Sequence, residues 1–436
     1  MLKVISTLFL VVLTSLFFFP FEFTFLPGFN TKMIMAGMGL VLFGINMASG
    51  GRGSLDKGVF LLSLLAIFVS IIGLVSVTLN GTSDFSYATY IISMWVWLGG
   101  AYFVAQMIKW RHGNVTIPLL CNYLIAVCVA QCIIAFAMSE YEPLKNFVDG
   151  FLEGSGFMGK VDARLYGIGA SLDVAGMRFA AALVMIACMC TRGNVLNSKL
   201  VIFAYIVAFG VITVFGNMIG RSTVIGLAFV VVYVLYQAFS RKSEILVTNL
   251  KRVGVTFALV AVCSVVVLTY FYNTNANVHD NLRFGFEGFF SLAEKGRWET
   301  HSNEILKNMY VFPDNIRTWM IGDGYLENPY DIDPYYIGPK WGGYYMATDV
   351  GYLRFIFYFG VTGMIAFSLY MFYAARILVD RHPKYKVLFL LVLLVNYAMW
   401  FKVASDLFLV FAFFLCADRE LDTENNVPHL PHSFHV

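Results

Sequence analysis

The chain reads as an all-α, polytopic membrane helix bundle, and three observations predict it. Its 436 residues are 59% hydrophobic and 13% charged, with a mean hydropathy of +0.72, outside the range of soluble globular domains. Apolar blocks of roughly 20 residues, the length a helix needs to cross a bilayer, follow one another along most of the sequence. Only one long segment, residues 273–350, is polar.

The apolar blocks place spans near 2–20, 32–49, 59–79, 87–108, 116–138, 176–191, 200–217, 222–240, 253–272 and 351–375. Val387 to Ala417 is too long for one span and is interrupted by Trp400, Lys402 and Asp406. It divides into two short helices, which makes about twelve spans. Met1 to Pro20 carries one charge, Lys3. With no small-residue cleavage site after it and further spans beyond, it reads as a retained helix rather than a signal peptide.

Lys and Arg in the short connections set the orientation. Arg52 and Lys57, Lys109 and Arg111, Arg192 and Lys199, Arg241, Lys242, Lys251 and Arg252, and Arg376, Arg381, Lys384 and Lys386 all fall on one side, which is then cytoplasmic. The alternate connections hold only Lys32, Arg221 and Lys402. Both termini are expected inside, and the loops 139–175 and 273–350 outside, facing the periplasm if the cell is Gram-negative. The organisation is therefore 1–272 (nine spans), 273–350 (the large outward loop, with amphipathic helices), 351–418 (three spans) and 419–436 (a cytoplasmic tail).

Several function classes are disfavoured. A formal charge of +3 does not suggest nucleic acid. The seven cysteines (Cys121, Cys128, Cys132, Cys188, Cys190, Cys263, Cys416) all lie in apolar blocks, which argues against a disulfide framework. His429, His432 and His435 lie in a Pro-containing tail and read as disordered rather than zinc-binding. Asp331-Ile-Asp333 has the Asp-x-Asp form of metal-dependent glycosyltransferases, a cheap match in so acidic a loop. The first outward loop, Phe21 to Asn30, has a single acid, Glu22. No metal and no cofactor are expected.

The large loop holds eleven Asp and Glu against six Lys and Arg, so any phosphate it handles must be gripped by individual arginines. It also holds Trp298, Trp319, Trp341 and a run of tyrosines including Tyr325. Aromatic faces beside carboxylates suit sugar rings; the alternative is an aromatic belt at the membrane interface. Glu294 to Met309 is expected to form a helix with Arg297, His301, Glu304 and Asn308 on one narrow face. Arg297 could fork a phosphate, or the face could be solvated.

Arg221 lies in the short turn Asn217-Met-Ile-Gly-Arg-Ser222, where an arginine is costly unless it meets a partner or a substrate anion. Pairing with a neighbouring carboxylate or a lipid headgroup is the alternative. Arg164 is a second candidate of the same kind, and Arg178 reads as a helix anchor. Asp349, in Thr348-Asp-Val-Gly-Tyr-Leu-Arg354, stands at a helix start. There a carboxylate caps free N–H groups and has its pKa lowered by the dipole, or accepts a proton from a sugar hydroxyl.

Arg164-Leu-Tyr-Gly, Gly220-Arg-Ser222, Gly296-Arg-Trp298, Ile321-Gly-Asp-Gly-Tyr325, and Thr348-Asp-Val-Gly-Tyr-Leu followed by Phe359-Gly-Val-Thr-Gly363 occur in this order. Together they resemble the O-antigen polymerase (Wzy-type) family and the related O-antigen ligases, over the half of the chain from Arg164 onward. The resemblance implies a GT-C-like bundle in a bacterial inner membrane, acting at the periplasmic face. It would be a metal-independent glycosyltransferase that moves a growing glycan from undecaprenyl pyrophosphate onto the next lipid-linked repeat unit. Arg221 and Arg297, with Arg164, would bind the pyrophosphate, Asp349 or His301 would be the base, and Trp298, Tyr325 and Tyr352 would face sugar. Partners would be the lipid-linked oligosaccharide, membrane lipid, a chain-length regulator and a flippase. Ligases carry a histidine near the position of Asp349 and this chain does not, which favours polymerase over ligase. A lipid-linked oligosaccharide flippase or other transporter is the reading from another class; only the Lys402/Asp406 break fits it.

Overall fold

The computed structural model describes residues 2–49, 56–153, 164–191, 198–240 and 265–419. Cys263, residues 253–264 of the span expected at 253–272, and the histidines of the tail lie outside them.

The described residues are mainly helical, with almost no sheet. In chain order the helices are α1 (Leu2–Phe18), α2 (Thr31–Ala48), α3 (Lys57–Asn80), α4 (Tyr90–His112), α5 (Ile117–Glu140), α6 (Glu142–Asp149), α7 (Leu172–Cys190), α8 (Lys199–Ile219) and α9 (Val224–Ser240). The loop contributes α10 (Ala276–Gly285), α11 (Glu287–Lys295), α12 (His301–Asn308), α13 (Ile316–Ile321) and α14 (Pro329–Ile332), before α15 (Gly351–Arg381), α16 (Lys386–Met399) and α17 (Phe408–Leu415). A two-stranded antiparallel ribbon, β1 (Glu22–Phe23) and β2 (Leu26–Asn30), joins α1 to α2. Among the described residues seven helices, α2, α3, α4, α5, α7, α8 and α15, are long and apolar enough to cross a bilayer. Shorter apolar helices include α1 and α9, of 17 residues each, and the pair α16 and α17, of 14 and 8.

Within lipid there is little hydrophobic gain in pressing apolar helices together, so close backbone approach and polar contacts carry more of the packing. Gly39 of α2 rests on the backbone of Gly99 in α4, and Gly226 of α9 lies against Ala180 of α7, so close that a Cβ at either glycine would overlap the neighbour. α3 shows the complementary pattern. Phe60, Leu64, Phe68, Ile71, Leu74, Val75 and Leu79 are exposed along it, the face a membrane helix offers to lipid.

The span expected at 351–375 is not one straight helix. Phe359 (φ −142°) and Gly360 (φ 68°, ψ −179°) leave the helical region inside α15. Phe355 and Phe367 would stand about 18 Å apart along an unbroken axis, yet their ring centroids are 5.5 Å apart. Residues 351–358 therefore fold back against the following segment. The break frees carbonyls that helical N–H groups would otherwise bind. The loop residues after α13 supply replacements: Asp323 N–H donates to Phe357 O (2.6 Å) and Gly324 N–H to Tyr358 O (3.1 Å), with Ser76 Oγ donating to the same Tyr358 oxygen (2.7 Å). Asn80 Nδ2 holds Gly322 O (3.0 Å) and Thr362 Oγ1 donates to Met320 O (2.6 Å).

The expected helix Glu294–Met309 is corrected to two. α11 ends at Lys295 because Gly296 adopts a left-handed cap (φ 69°), and α12 starts afresh where the Thr300 hydroxyl accepts the Asn303 N–H (3.2 Å). Arg297 lies in the connection, so it does not share a helical face with His301, Glu304 and Asn308. The division of Val387 to Ala417 is as expected, with Trp400, Lys402 and Asp406 all in the break between α16 and α17.

Candidate active site at the loop-bearing end

The turn after α8 is fixed by its own backbone. Gly220 sits against Leu172 and Gly176 of α7, and the Thr223 hydroxyl donates to Gly216 O (3.0 Å) or Gly220 O (2.8 Å). This rigid corner projects Arg221, whose side chain is 13% exposed. The guanidinium donates through Nη1 to Glu287 Oε2 and lies 4.3 Å from the centre of the Phe284 ring. Its Nε is buried without an acceptor among the described residues.

Arg164 approaches the same ring, at 4.7 Å. It forms no ion pair with a carboxylate among the described residues. Burial lowers its pKa and the charge of Arg221 adds to the effect, while Asp173 opposes it. Two guanidiniums thus converge on one aromatic support, and among the described residues a single carboxylate, Glu287, is in direct contact with them. Glu287 also accepts the His301 N–H through Oε1 (2.8 Å), which ties the start of α12 to Arg221.

These groups line an open cavity of about 950 Å³, to which the loop adds Arg283, Glu294, Lys295, Glu299 and Glu304. Much of that charge is paired internally: Arg283 with Glu294 and Lys295 with Glu299 (3.6 Å). Arg164 and the enclosed edge of Arg221 are what remain to meet an anion.

The structure brings together Arg164, Arg221 and His301, and places the other expected residues elsewhere. Arg297 is 71% exposed, bonded to Glu299 (2.8 Å), and lines no wall of the cavity. Trp298 packs edge-on against Phe289 (4.8 Å) over Gly288. Tyr325 is 9% exposed; its hydroxyl donates to Asp333 (2.9 Å), and its ring meets Tyr336 and Tyr345. Tyr352 donates to Tyr397 O (3.0 Å) and packs on Trp400 and Phe401. These tyrosines build the loop and its seat rather than the cavity.

Asp349 does not cap α15, a second correction. Val350 precedes the helix without a side-chain cap, and the Thr348 hydroxyl takes the Val350 N–H (3.2 Å). The Asp349 carboxylate has no hydrogen-bonded partner among the described residues. Its pKa is raised, not lowered: burial dominates, Asp173 adds to it, and Arg354 and Lys402 only partly oppose it. Lys402 bonds Asp173 Oδ1 (2.8 Å), and Asp173 in turn acts on Arg164. A chain of alternating charge therefore runs from the cavity to Asp349. Sequence reasoning missed Glu287, Phe284 and Asp173; no local signal marks them, because Glu287 and Phe284 meet Arg221 across more than 60 positions and Asp173 meets Lys402 across 229. Among the described residues no group of three His, Cys, Asp or Glu could hold a metal ion.

No protein-family model, curated protein or solved structure matches the chain.

Proposed function

We propose that the chain is a polysaccharide polymerase: a GT-C-like membrane glycosyltransferase of about twelve spans that joins undecaprenyl-pyrophosphate-linked repeat units at the periplasmic face of a bacterial inner membrane. The observation that carries this reading is the convergence of Arg164 and Arg221 on Phe284 in a cavity of about 950 Å³. Paired guanidiniums are suited to a pyrophosphate, whose oxygens match their forked N–H donors.

In the proposed reaction a sugar hydroxyl of the new repeat unit attacks the anomeric carbon of the growing glycan. The bond from that carbon to the pyrophosphate oxygen breaks, and charge grows on the leaving group, where Arg164 and Arg221 stabilise it. The hydroxyl proton passes to a base, either Asp349, whose raised pKa suits it to accept one, or His301 on the cavity wall. The two guanidiniums do the work that a divalent cation does in other transferases, and Arg164 takes the place expected for Arg297. The lipid-linked oligosaccharide and membrane lipid would be direct partners, with a flippase and a chain-length regulator acting before and beside the enzyme.

A transporter is the second reading, favoured by the fold-back of α15 and by the burial of Arg178 within the bundle. Deleting the gene separates the readings on a gel of surface polysaccharide. A polymerase leaves a single repeat unit per acceptor, a ligase leaves none attached, and a flippase causes lipid-linked precursor to accumulate inside the cell.

A further inference from the structure

A second pair of cations stands apart from the Phe284 cavity, where α1 ends and α2 begins. Lys32, in the first turn of α2, holds its Nζ 4.3 Å from the centre of the Trp97 ring and has no hydrogen-bonded partner among the described residues. Arg178, in the second turn of α7, is 7% exposed. Its guanidinium lies 5.3 Å from the Phe19 ring and 5.8 Å from that of Phe18. None of its N–H groups meets an acceptor among the described residues, and Nε is fully enclosed.

The two sets of aromatic supports, Trp97 for Lys32 and Phe18 with Phe19 for Arg178, adjoin through Phe17. Phe17 packs edge-on against Trp97 (5.7 Å) and Phe18 against Phe19 (5.1 Å), so the end of α1 backs the Trp97 ring under Lys32 and supplies the rings under Arg178. Lys32 and Arg178 repel each other, and Asp406 is the carboxylate that faces both. One Asp406 oxygen is committed to the Phe408 N–H (2.8 Å), and Glu22 adds only a weaker pull on Lys32. A guanidinium enclosed without acceptors is costly in any apolar setting. Here a second cation sits beside it.

We propose that Lys32 and Arg178 bind a phosphate group presented at the membrane surface, in a site separate from that of Arg164 and Arg221. A guanidinium fork fits a tetrahedral oxyanion and an ammonium adds a point charge. Half-buried Lys32 keeps the site open to the surface, while the aromatic floor suits a headgroup whose chain runs into lipid. The two sites are neighbours: Gly169, a few residues after Arg164, lies against the Phe19 carbonyl. The inference stands without the proposed reaction. Should that reaction hold, donor and acceptor each carry a pyrophosphate, and two separate anion sites are what the chemistry requires.

The test uses the purified full chain carrying Arg221→Gln, which weakens the first site. The thermal midpoint is read with inorganic pyrophosphate, and again in phosphatidylcholine nanodiscs with and without phosphatidylglycerol. A rise of several degrees that is lost in Lys32→Gln and in Arg178→Gln supports the site. A rise with pyrophosphate identifies a free or terminal phosphate as the ligand, and a rise with phosphatidylglycerol alone identifies a phosphodiester headgroup. No rise with either probe, or one undiminished in both variants, overturns it. Lys32→Gln alone decides if Arg178→Gln fails to fold. Failure of the polymerase reading shows instead as normal polymer in the deletion strain, an outcome independent of these shifts.

Discussion

Phe355 and Phe367 touch although twelve positions separate them in α15, because Gly360 turns the helix back on itself. Gly360 has φ 68°, and a Cβ there would strike the Met320 carbonyl. Gly360→Ala should therefore cost more than the roughly 1–3 kcal/mol of a strained backbone alone, and lower the thermal midpoint of the purified protein. An unchanged midpoint would show that the fold-back is not needed.

Arg164→Ala and Arg221→Ala are each expected to remove long chains at normal protein level. The drop in turnover should be about 10²–10³-fold, the scale of losing a donor to a developing oxyanion. Arg297→Ala should leave chain length intact, since Arg297 is mostly exposed and makes a surface pair with Glu299. The three gels are read side by side, and loss of polymer in Arg297→Ala alone would reverse the assignment.

Glu287 holds Arg221 with one oxygen and the start of α12 with the other. Glu287→Gln keeps its shape but removes the charge, so turnover should fall while membrane insertion persists. Stronger binding of pyrophosphate with weaker turnover is the signature of a positioning role, which a merely structural residue would not give.

For pH, the sign follows from Asp349. Its pKa is raised above the ordinary carboxylate value of about 4, mainly by burial. A base must be unprotonated, so activity should fall on acidification at a pH above that value, and the loss should begin earlier than for an exposed aspartate. Asp349→Asn should abolish turnover at all pH values. A residual activity that keeps the same acid limb would move the role to His301.

Lys402 and Asp173 are about a quarter exposed. Their coupling should fall between the ~0.2–1 kcal/mol of exposed pairs and the ~3–5 kcal/mol cost of breaking a buried one. A double-mutant cycle with Lys402→Met and Asp173→Asn measures it. Coupling near zero would break the proposed electrostatic link from Arg164 to Asp349.

The sequence by itself determined the helical bundle, the polar loop, the two short helices at 387–417, and the placing of Arg221 in a tight turn between two helices. Hydropathy and charge repeat locally, and a helix in lipid satisfies its own backbone, so these features are legible residue by residue. Only the tertiary structure decided that Arg164 rather than Arg297 joins Arg221, that Glu287 is the carboxylate between Arg221 and His301, and that α15 folds back on itself. Each of those depends on a break, at Gly296 or at Gly360, whose left-handed backbone redirects everything after it. A helical wheel drawn through Gly296 assigns Arg297 to a face that does not exist. A hydropathy plot passes over Gly360 because the residues on both sides are equally apolar.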